Sequence, residues 1–125
     1  MIKEDHHNIC KVLIIDDEKD LCLLLQSICR KKGMTAHIAN NLSDASIELE
    51  QHPHLIFLDN NLPDGLGLEF IYNIREHTDH ACLILMTAEN SDHIEERAFE
   101  KGVDYFMLKP FNLALLSKLI DKIAC

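Results

Sequence analysis

The sequence predicts an α/β fold in which helices cover both faces of a mostly parallel, five-stranded sheet. Five short apolar runs alternate along the chain with five segments of helical spacing, and glycine or proline lies in most of the joints between them. The predicted strands are residues 11–16, 35–39, 55–59, 82–87 and 103–108. The first, third and fourth are apolar nearly throughout, which is typical of parallel strands that are buried on both faces.

The five predicted helices follow from apolar residues spaced three and four apart. These residues lie within 21–28, 42–49, 68–74, 94–98 and 115–123. Ser43, Ser91 and Asn112 are the predicted N-caps of the second, fourth and fifth helices. If the strands take the order 2-1-3-4-5 with right-handed crossovers, the first and third strands are neighbours at the point where the strand order reverses.

Length and charge limit the classes of function. A chain of 125 residues fits one domain, and it carries 21 acidic residues against 12 basic ones, for a net charge of -9 with neutral histidines. This balance argues against nucleic acid as a direct ligand, because binding to phosphates needs a basic surface. No apolar run approaches the ~20 residues of a membrane span, and the N-terminus lacks the apolar core of a signal peptide. We therefore expect a soluble, cytoplasmic protein that contacts neither nucleic acid nor a membrane.

The cysteines indicate neither a disulfide framework nor a zinc site. They are odd in number, widely spaced and without a C-x-x-C pair: Cys10, Cys22, Cys29, Cys82 and Cys125. We expect reduced thiols, and we expect Cys22, Cys29 and Cys82 to pack as small apolar side chains.

Polar residues lie at the ends of four of the five predicted strands. Asp16 and Asp17 end the first strand, Asp59 the third, Thr87 the fourth and Lys109 the fifth. Because the carboxyl ends of parallel strands share one edge of the sheet, the carboxylates are expected to meet there. Carboxylates about 4 Å apart repel by roughly 4 kcal/mol at an effective dielectric of about 20, so the cluster needs a cation. Oxygen ligands without cysteine or histidine favour Mg²⁺ first and Mn²⁺ second.

The charges of this site suit a phosphoryl group. The three aspartates bring three negative charges, which a divalent metal and Lys109 balance. Asp59 is then the expected nucleophile toward phosphorus, while Lys109 and the metal hold the phosphoryl oxygens and Thr87 donates its hydroxyl to one of them. The backbone carbonyl of Asn61 is a further expected ligand of the metal.

Four motifs, in this order, resemble the receiver domains of two-component response regulators. They are LIIDDE (13–18), LIFLDNNLPDGLGLEFI (55–71), LILMTAE (83–89) and GVDYFMLKPF (102–111). The resemblance implies a single flavodoxin-like (βα)5 domain over residues 11–124, with the strand order 2-1-3-4-5, preceded by an N-terminal extension over residues 1–10. It also implies that Asp59 accepts its phosphoryl group from the phosphohistidine of a sensor histidine kinase or of a histidine phosphotransfer domain.

The resemblance further assigns the ligands of the metal. It implies that Asp17, Asp59 and the carbonyl of Asn61 bind Mg²⁺ directly, and that Asp16 acts mainly through water. It also implies that the peptide bond before Pro110 is cis.

The resemblance gives the domain a switching role. Thr87 is expected to move toward the phosphoryl group, and Phe106, three positions before Lys109, to turn inward behind it. Because many relatives have tyrosine where this chain has Phe106, only the packing part of this switch is expected here. The face formed by the fourth helix, fifth strand and fifth helix would then signal to an output domain or a downstream protein, or form a homodimer. The domain is expected to be a switch that promotes its own phosphotransfer and dephosphorylation, not an enzyme.

Three other classes of protein share part of this pattern. A flavin-binding electron carrier has the same topology, but it needs a Ser/Thr/Gly-rich loop where DDEKD (16–20) would repel the flavin phosphate. A metal-dependent phosphohydrolase could use Asp59, Thr87 and Lys109, but such enzymes usually carry a second acid where this chain has Asn61. A receiver-like module that only binds partners would not be phosphorylated, which the intact acidic cluster argues against.

Overall fold

A single parallel sheet forms the centre of the fold in the computed structural model, which describes residues 10–89 and 91–123. Within these ranges its strands are β1 Lys11–Ile15, β2 Thr35–Ala39, β3 Leu55–Asp59, β4 Cys82–Thr87 and β5 Tyr105–Leu108. Their order is β2-β1-β3-β4-β5, which confirms the predicted fold class and strand order. The predicted bounds of the second, third and fourth strands are also confirmed, whereas β5 begins later than the sequence predicts.

The helices of the described ranges are α1 Lys19–Lys31, α2 Leu42–Glu48, α3 Gly67–His77, α4 Asp92–Glu100 and α5 Leu113–Ile123. A short antiparallel ladder, Asn61–Leu62 with Gly65–Leu66, closes the loop between β3 and α3. None of the helices in the described part of the chain combines the length and apolarity that a membrane crossing requires. The predicted N-terminal extension, residues 1–10, lies outside the described residues apart from Cys10.

Alternate residues of the central strands pack into two separate layers, as the two-residue period of a strand requires. Ile56 belongs to a buried layer shared with α2, α3 and α4, whereas its neighbour Phe57 belongs to the layer shared with α1 and α5. Phe106 packs against the first layer and Tyr105 against the second, so these neighbours lie on opposite faces of the sheet. Because the sheet is covered on both faces, polar groups of β1, β3 and β4 can reach solvent only at the strand ends.

Two side chains satisfy the first N–H groups of α2. Asn41 is the N-cap, and its Oδ1 accepts a hydrogen bond from the N–H of Asp44 at 2.7 Å. The carboxylate of Asp64, in the loop after β3, accepts from the N–H groups of Leu42 (2.8 Å) and Ser43 (3.0 Å), and these bonds lower the pKa of Asp64. The prediction of Ser43 as the N-cap is therefore wrong, because the N-cap lies two residues earlier, at Asn41, and the distant side chain of Asp64 also takes part in the capping.

The other two predicted caps lie at helix starts. The side chain of Asn112 accepts a hydrogen bond from the N–H of Leu115 at 3.1 Å, which confirms Asn112 as a cap of α5. Ser91 is the N-cap residue of α4, but its side chain makes no capping hydrogen bond to the described residues of that helix.

Cys22 and Cys29 are buried and Cys82 is half-buried, and all three have free thiols that pack in the layer shared with α1 and α5. The expectation of reduced cysteines is wrong at Cys10, which is disulfide-bonded. The odd number and wide spacing of cysteines argue against a framework of several bridges, but they do not indicate which distant residues approach each other in the fold. Cys125 lies outside the described residues.

Candidate functional site

The three predicted aspartates meet at the carboxyl edge of the sheet. Asp16 and Asp17 directly follow β1, and Asp59 is the last residue of the neighbouring strand β3. One carboxylate oxygen from each lies within 4.8 Å of the other two, which is close enough for all three to approach one ion. Asp16 and Asp59 are buried whereas Asp17 is exposed, so the cluster is open to solvent on the side of Asp17.

Lys109 supplies the positive charge of this cluster. It follows β5, and its Nζ lies 2.8 Å from Asp16 Oδ2, 2.6 Å from Glu18 Oε1 and 3.2 Å from Asp59 Oδ1. Burial lowers the pKa of this ammonium, but hydrogen bonds to Asp16 and Glu18 and the nearby negative charges outweigh burial, so the pKa is raised. The Lys109–Pro110 peptide bond is cis, as the resemblance implies.

The carboxyl group of Asp59 has a raised pKa. Burial, followed by the negative charge of Asp16, raises it from its ordinary value of 3.8 to about 6. The charge and hydrogen bond of Lys109 offset only part of this rise in pKa, and the negative charge of Asp17 adds to the rise. A second cation close to Asp59 would therefore favour its ionised form.

Backbone and side-chain contacts hold Asp16 in place. Its N–H donates to the carbonyl of Ala39 at 3.1 Å, and its carbonyl accepts from Asn40 Nδ2 at 2.8 Å and Cys22 Sγ at 3.1 Å. Its Oδ1 accepts from the N–H of Glu18 at 2.9 Å, which leaves Oδ2 for the ammonium. Burial and the charge of Asp16 raise the pKa of Cys22 to about 12, so this thiol stays protonated and can donate its hydrogen bond.

Two residues that the sequence analysis did not assign hold Asp59 in place. The N–H of Asn60 donates to a carbonyl of β4 at 3.0 Å, its side-chain Oδ1 accepts from the N–H of Leu68 at 3.0 Å, and its carbonyl accepts from the N–H of Gly67 at 2.8 Å. A Cβ at Gly67 would overlap the carbonyl oxygen of Asp59 and lie 3.1 Å from the Cα of Asn60. In the sequence, the local signal for this close approach between two backbone segments is the presence of Gly67 only two residues after Gly65.

Thr87 and Asn61 border the cluster. Thr87 is buried at the end of β4, its hydroxyl accepts from the N–H of Glu89 at 3.1 Å, and its carbonyl accepts from the N–H of Lys109 at 2.8 Å. Thr87 lies one position beyond the residue of β4 that pairs with Asp59, so it shares the same edge of the sheet. Asn61 is exposed, and its Nδ2 donates to Glu89 Oε1 at 3.1 Å.

Phe106 lies apart from the acidic cluster. It is half-buried in β5, where it pairs with Leu85 of β4. Its side chain packs against the layer that also contains Ala98 of α4. The structure therefore places this predicted switch residue between the sheet and the helices of one face.

Comparison with known proteins agrees with this geometry. The family model for the response regulator receiver domain matches residues 12–121. A two-component response regulator from Clostridium difficile is similar at 33% identity and a TM-score of 0.86, over 91% of this chain and 94% of that structure. The beryllofluoride-activated NtrC4 receiver domain dimer is similar at 29% identity and a TM-score of 0.84, over 91% of this chain and 95% of that one.

A curated relative covers the same region. The KDP operon transcriptional regulatory protein KdpE of Escherichia coli (strain K12) is 35% identical over 107 residues, which are 84% of this chain and 47% of KdpE. The chain spans between 24% and 51% of the length of three curated relatives that it matches. The family match itself extends from β1 into α5 and includes each of the strand ends that form the site. The chain therefore belongs to the response regulator receiver domain family, the phosphoacceptor signalling domains of two-component systems.

Proposed function

We propose that Asp59 is the phosphoacceptor of this receiver domain, which we assign to residues 11–124, and that its phosphorylation depends on Mg²⁺. The observation that carries the proposal is the approach of three aspartate carboxylates to within 4.8 Å of one another, with Lys109 Nζ 3.2 Å from Asp59 Oδ1. The family match over the same region supports it.

The acidic cluster fits a hard divalent cation. Its donors are carboxylate oxygens, which Mg²⁺ prefers, and its negative charges outnumber the single ammonium that contacts them in the described residues. We assign Asp16, Asp17, Asp59 and the backbone carbonyl of Asn61 as the residues that hold it, with Mn²⁺ as a substitute. When bound, the ion supplies positive charge toward the phosphoryl oxygens.

The transfer needs few groups from the chain. A carboxylate oxygen of Asp59 attacks phosphorus and forms a P–O bond, while the P–N bond to the donor histidine breaks and its electron pair stays on the imidazole. Lys109 contacts one phosphoryl oxygen, and the hydroxyl of Thr87 donates a hydrogen bond to another. Because these groups belong to the receiver itself, the domain promotes its own phosphotransfer and, with water as the attacking group, its own dephosphorylation.

The proposed partners follow from this role. The donor is a sensor histidine kinase or a histidine phosphotransfer protein in the cytoplasm, and the signal passes to an output domain or a downstream protein. The similar NtrC4 receiver domain is a dimer when it is activated by beryllofluoride, and this supports a homodimer of the present domain on phosphorylation. The face formed by α4, β5 and α5 is the surface that we propose to change.

Acetyl phosphate with Mg²⁺ tests the phosphoacceptor directly, because it needs no kinase. Intact-protein mass spectrometry should show the gain of a single phosphoryl group, and Asp59→Asn or removal of Mg²⁺ should abolish this gain. Asp20→Asn changes an exposed acid in the first turn of α1 and should be modified like the unaltered chain. Modification that persists in Asp59→Asn would contradict the assignment, and steady hydrolysis of many phosphomonoesters would indicate a phosphohydrolase instead.

Phe106→Ala should separate phosphorylation from signalling. Phe106 lies outside the acidic cluster, so phosphorylation by acetyl phosphate should keep its rate, while the change in α4, β5 and α5 should weaken. Backbone NMR shifts of these elements, with and without beryllofluoride, measure that change. Tyr105→Ala alters the opposite face of the same strand and should leave the change intact. A folded Phe106→Ala variant that cannot be phosphorylated would show that this division of roles is wrong.

A further inference from the structure

Glu18 departs from the usual behaviour of a residue at its position. It is the N-cap residue of α1, where a short polar side chain commonly accepts a hydrogen bond from the N–H groups of the first turn. Its side chain makes no such bond to the described residues of α1. Instead it lies 2.6 Å from Lys109 Nζ, the shortest of the three ion pairs of that ammonium. The carboxylate is therefore directed at Lys109 and not at the first turn of α1.

The three partners of Lys109 differ in exposure to solvent. The side chain of Asp16 is 0% exposed and that of Asp59 6%, whereas that of Glu18 is 60% exposed. Separating a buried carboxylate from its partner leaves an uncompensated charge, which is strongly unfavourable. Water can solvate Glu18 when its ion pair opens, and exposed ion pairs contribute little to stability. Glu18 is thus the partner that Lys109 can release most easily.

We propose that Glu18 is a releasable counter-ion, which holds the ammonium of Lys109 in the resting domain and gives it up when a phosphoryl group arrives at Asp59. The inference rests on the proposed phosphorylation of Asp59. An ammonium has three N–H donors, and in the resting site each has one carboxylate to face. Lys109 can contact a phosphoryl oxygen while it keeps both Asp16 and Asp59 only if Glu18 leaves. Glu18 acts through Lys109, so it is a positioning residue.

The same carboxylate also lines a groove next to Lys109. Glu18, Ala88, Lys109 and Pro110 are among the residues that line a groove of about 430 Å³ beside the acidic cluster. A negative charge at this rim repels an anionic phosphodonor, and added salt screens the repulsion. Competition for Lys109 and repulsion of the donor both slow the transfer, so Glu18 should restrain phosphorylation by small anionic donors.

Glu18→Gln tests the inference, because it removes the charge and keeps the length of the side chain. With acetyl phosphate and saturating Mg²⁺, the rate constant of phosphorylation should rise about threefold or more at low ionic strength and much less at high salt. Asp20→Asn makes the same change in net charge at an exposed acid that has no ion pair among the described residues, and its rate should rise less. Hydrogen exchange of the Lys109 ammonium, measured by NMR, should quicken in Glu18→Gln and not in Asp20→Asn.

Two outcomes separate this inference from the proposed function. Equal rates for Glu18→Gln and Asp20→Asn at both salt concentrations would overturn the role of Glu18, while phosphorylation of the unaltered chain would leave Asp59 as the phosphoacceptor. Failure of the unaltered chain to gain a phosphoryl group would instead remove the proposed function and the inference with it.

Discussion

Replacing Asp59 with asparagine should stabilise the metal-free protein by roughly 3 kcal/mol at neutral pH. Burial and the charge of Asp16 raise the pKa of Asp59 from 3.8 to about 6 in the folded state, while the unfolded chain keeps the ordinary value. Between these two pH values the folded state binds more protons than the unfolded state, so stability falls as the pH rises. Above about pH 6 the folded protein contains a buried, ionised carboxylate, which lowers the free energy of unfolding. Asparagine removes this unfavourable charge.

Urea denaturation in EDTA across this pH range measures the effect. The advantage of Asp59→Asn should be greatest above pH 6 and should disappear once the pH falls below 3.8, where the carboxyl group is protonated in both states. Asp20→Asn controls for the general loss of one negative charge from a chain of net charge -9. Mg²⁺ should stabilise the unaltered chain more than Asp59→Asn, because the variant lacks one of the proposed ligands. An Asp59→Asn variant that is no more stable at neutral pH would contradict the raised pKa.

Gly67→Ala should lower the free energy of unfolding by about 2–3 kcal/mol and reduce phosphorylation of Asp59. The new Cβ would overlap the carbonyl oxygen of Asp59 and crowd the Cα of Asn60. Both are backbone atoms held by hydrogen bonds of the loop between β3 and α3, so they cannot move aside as a flexible side chain could. Either α3 or the phosphoacceptor must shift. Thermal or urea denaturation measures the loss of stability, and the acetyl phosphate assay measures the displacement of Asp59.

Gly33→Ala is the matched control for a glycine substitution. Gly33 has φ +86°, but a Cβ there would meet no atom within 4 Å. Alanine should therefore cost about 1–2 kcal/mol through backbone conformation alone, and phosphorylation should keep its rate because Gly33 lies after α1, at the opposite end of that helix from the acidic cluster. If Gly67→Ala matched the unaltered chain in stability and rate, the close approach of α3 to Asp59 would not be restrictive.

The strand predictions succeeded where neighbouring residues carry all the information. β3 and β4 are continuous apolar runs that end in a polar residue, and their predicted bounds are right. The last strand begins later than predicted because Asp104 has tertiary partners: its carboxylate accepts from the N–H of Leu83 at 2.9 Å and pairs with Arg75 at 3.4 Å. An apolar pattern cannot reveal that these contacts take residue 104 out of the strand.

The helix caps likewise include contacts that adjacent residues predict and contacts that depend on distant residues. Asn112 was predictable because its partner lies three residues along the chain. At α2 the N-cap is Asn41, whose partner also lies three residues along the chain, so the prediction of Ser43 missed a local signal. The second capping side chain, Asp64, lies 22 residues beyond Leu42, where no local pattern could indicate it. A prediction from local spacing considers only the polar side chains that adjoin a helix, and here a distant carboxylate shares the task.

The sequence by itself determined the strands, the charged residues at their ends and, through four motifs, the family. These features depend on side-chain periodicity and turn chemistry, which adjacent residues encode. Only the tertiary structure decided that Glu18 pairs with Lys109, that Asn60 and Gly67 hold Asp59, and that Asp64 caps α2. Glu18 and Lys109 are 91 positions apart, and their ion pair exists only because the assembled sheet brings the ends of separate strands to one edge.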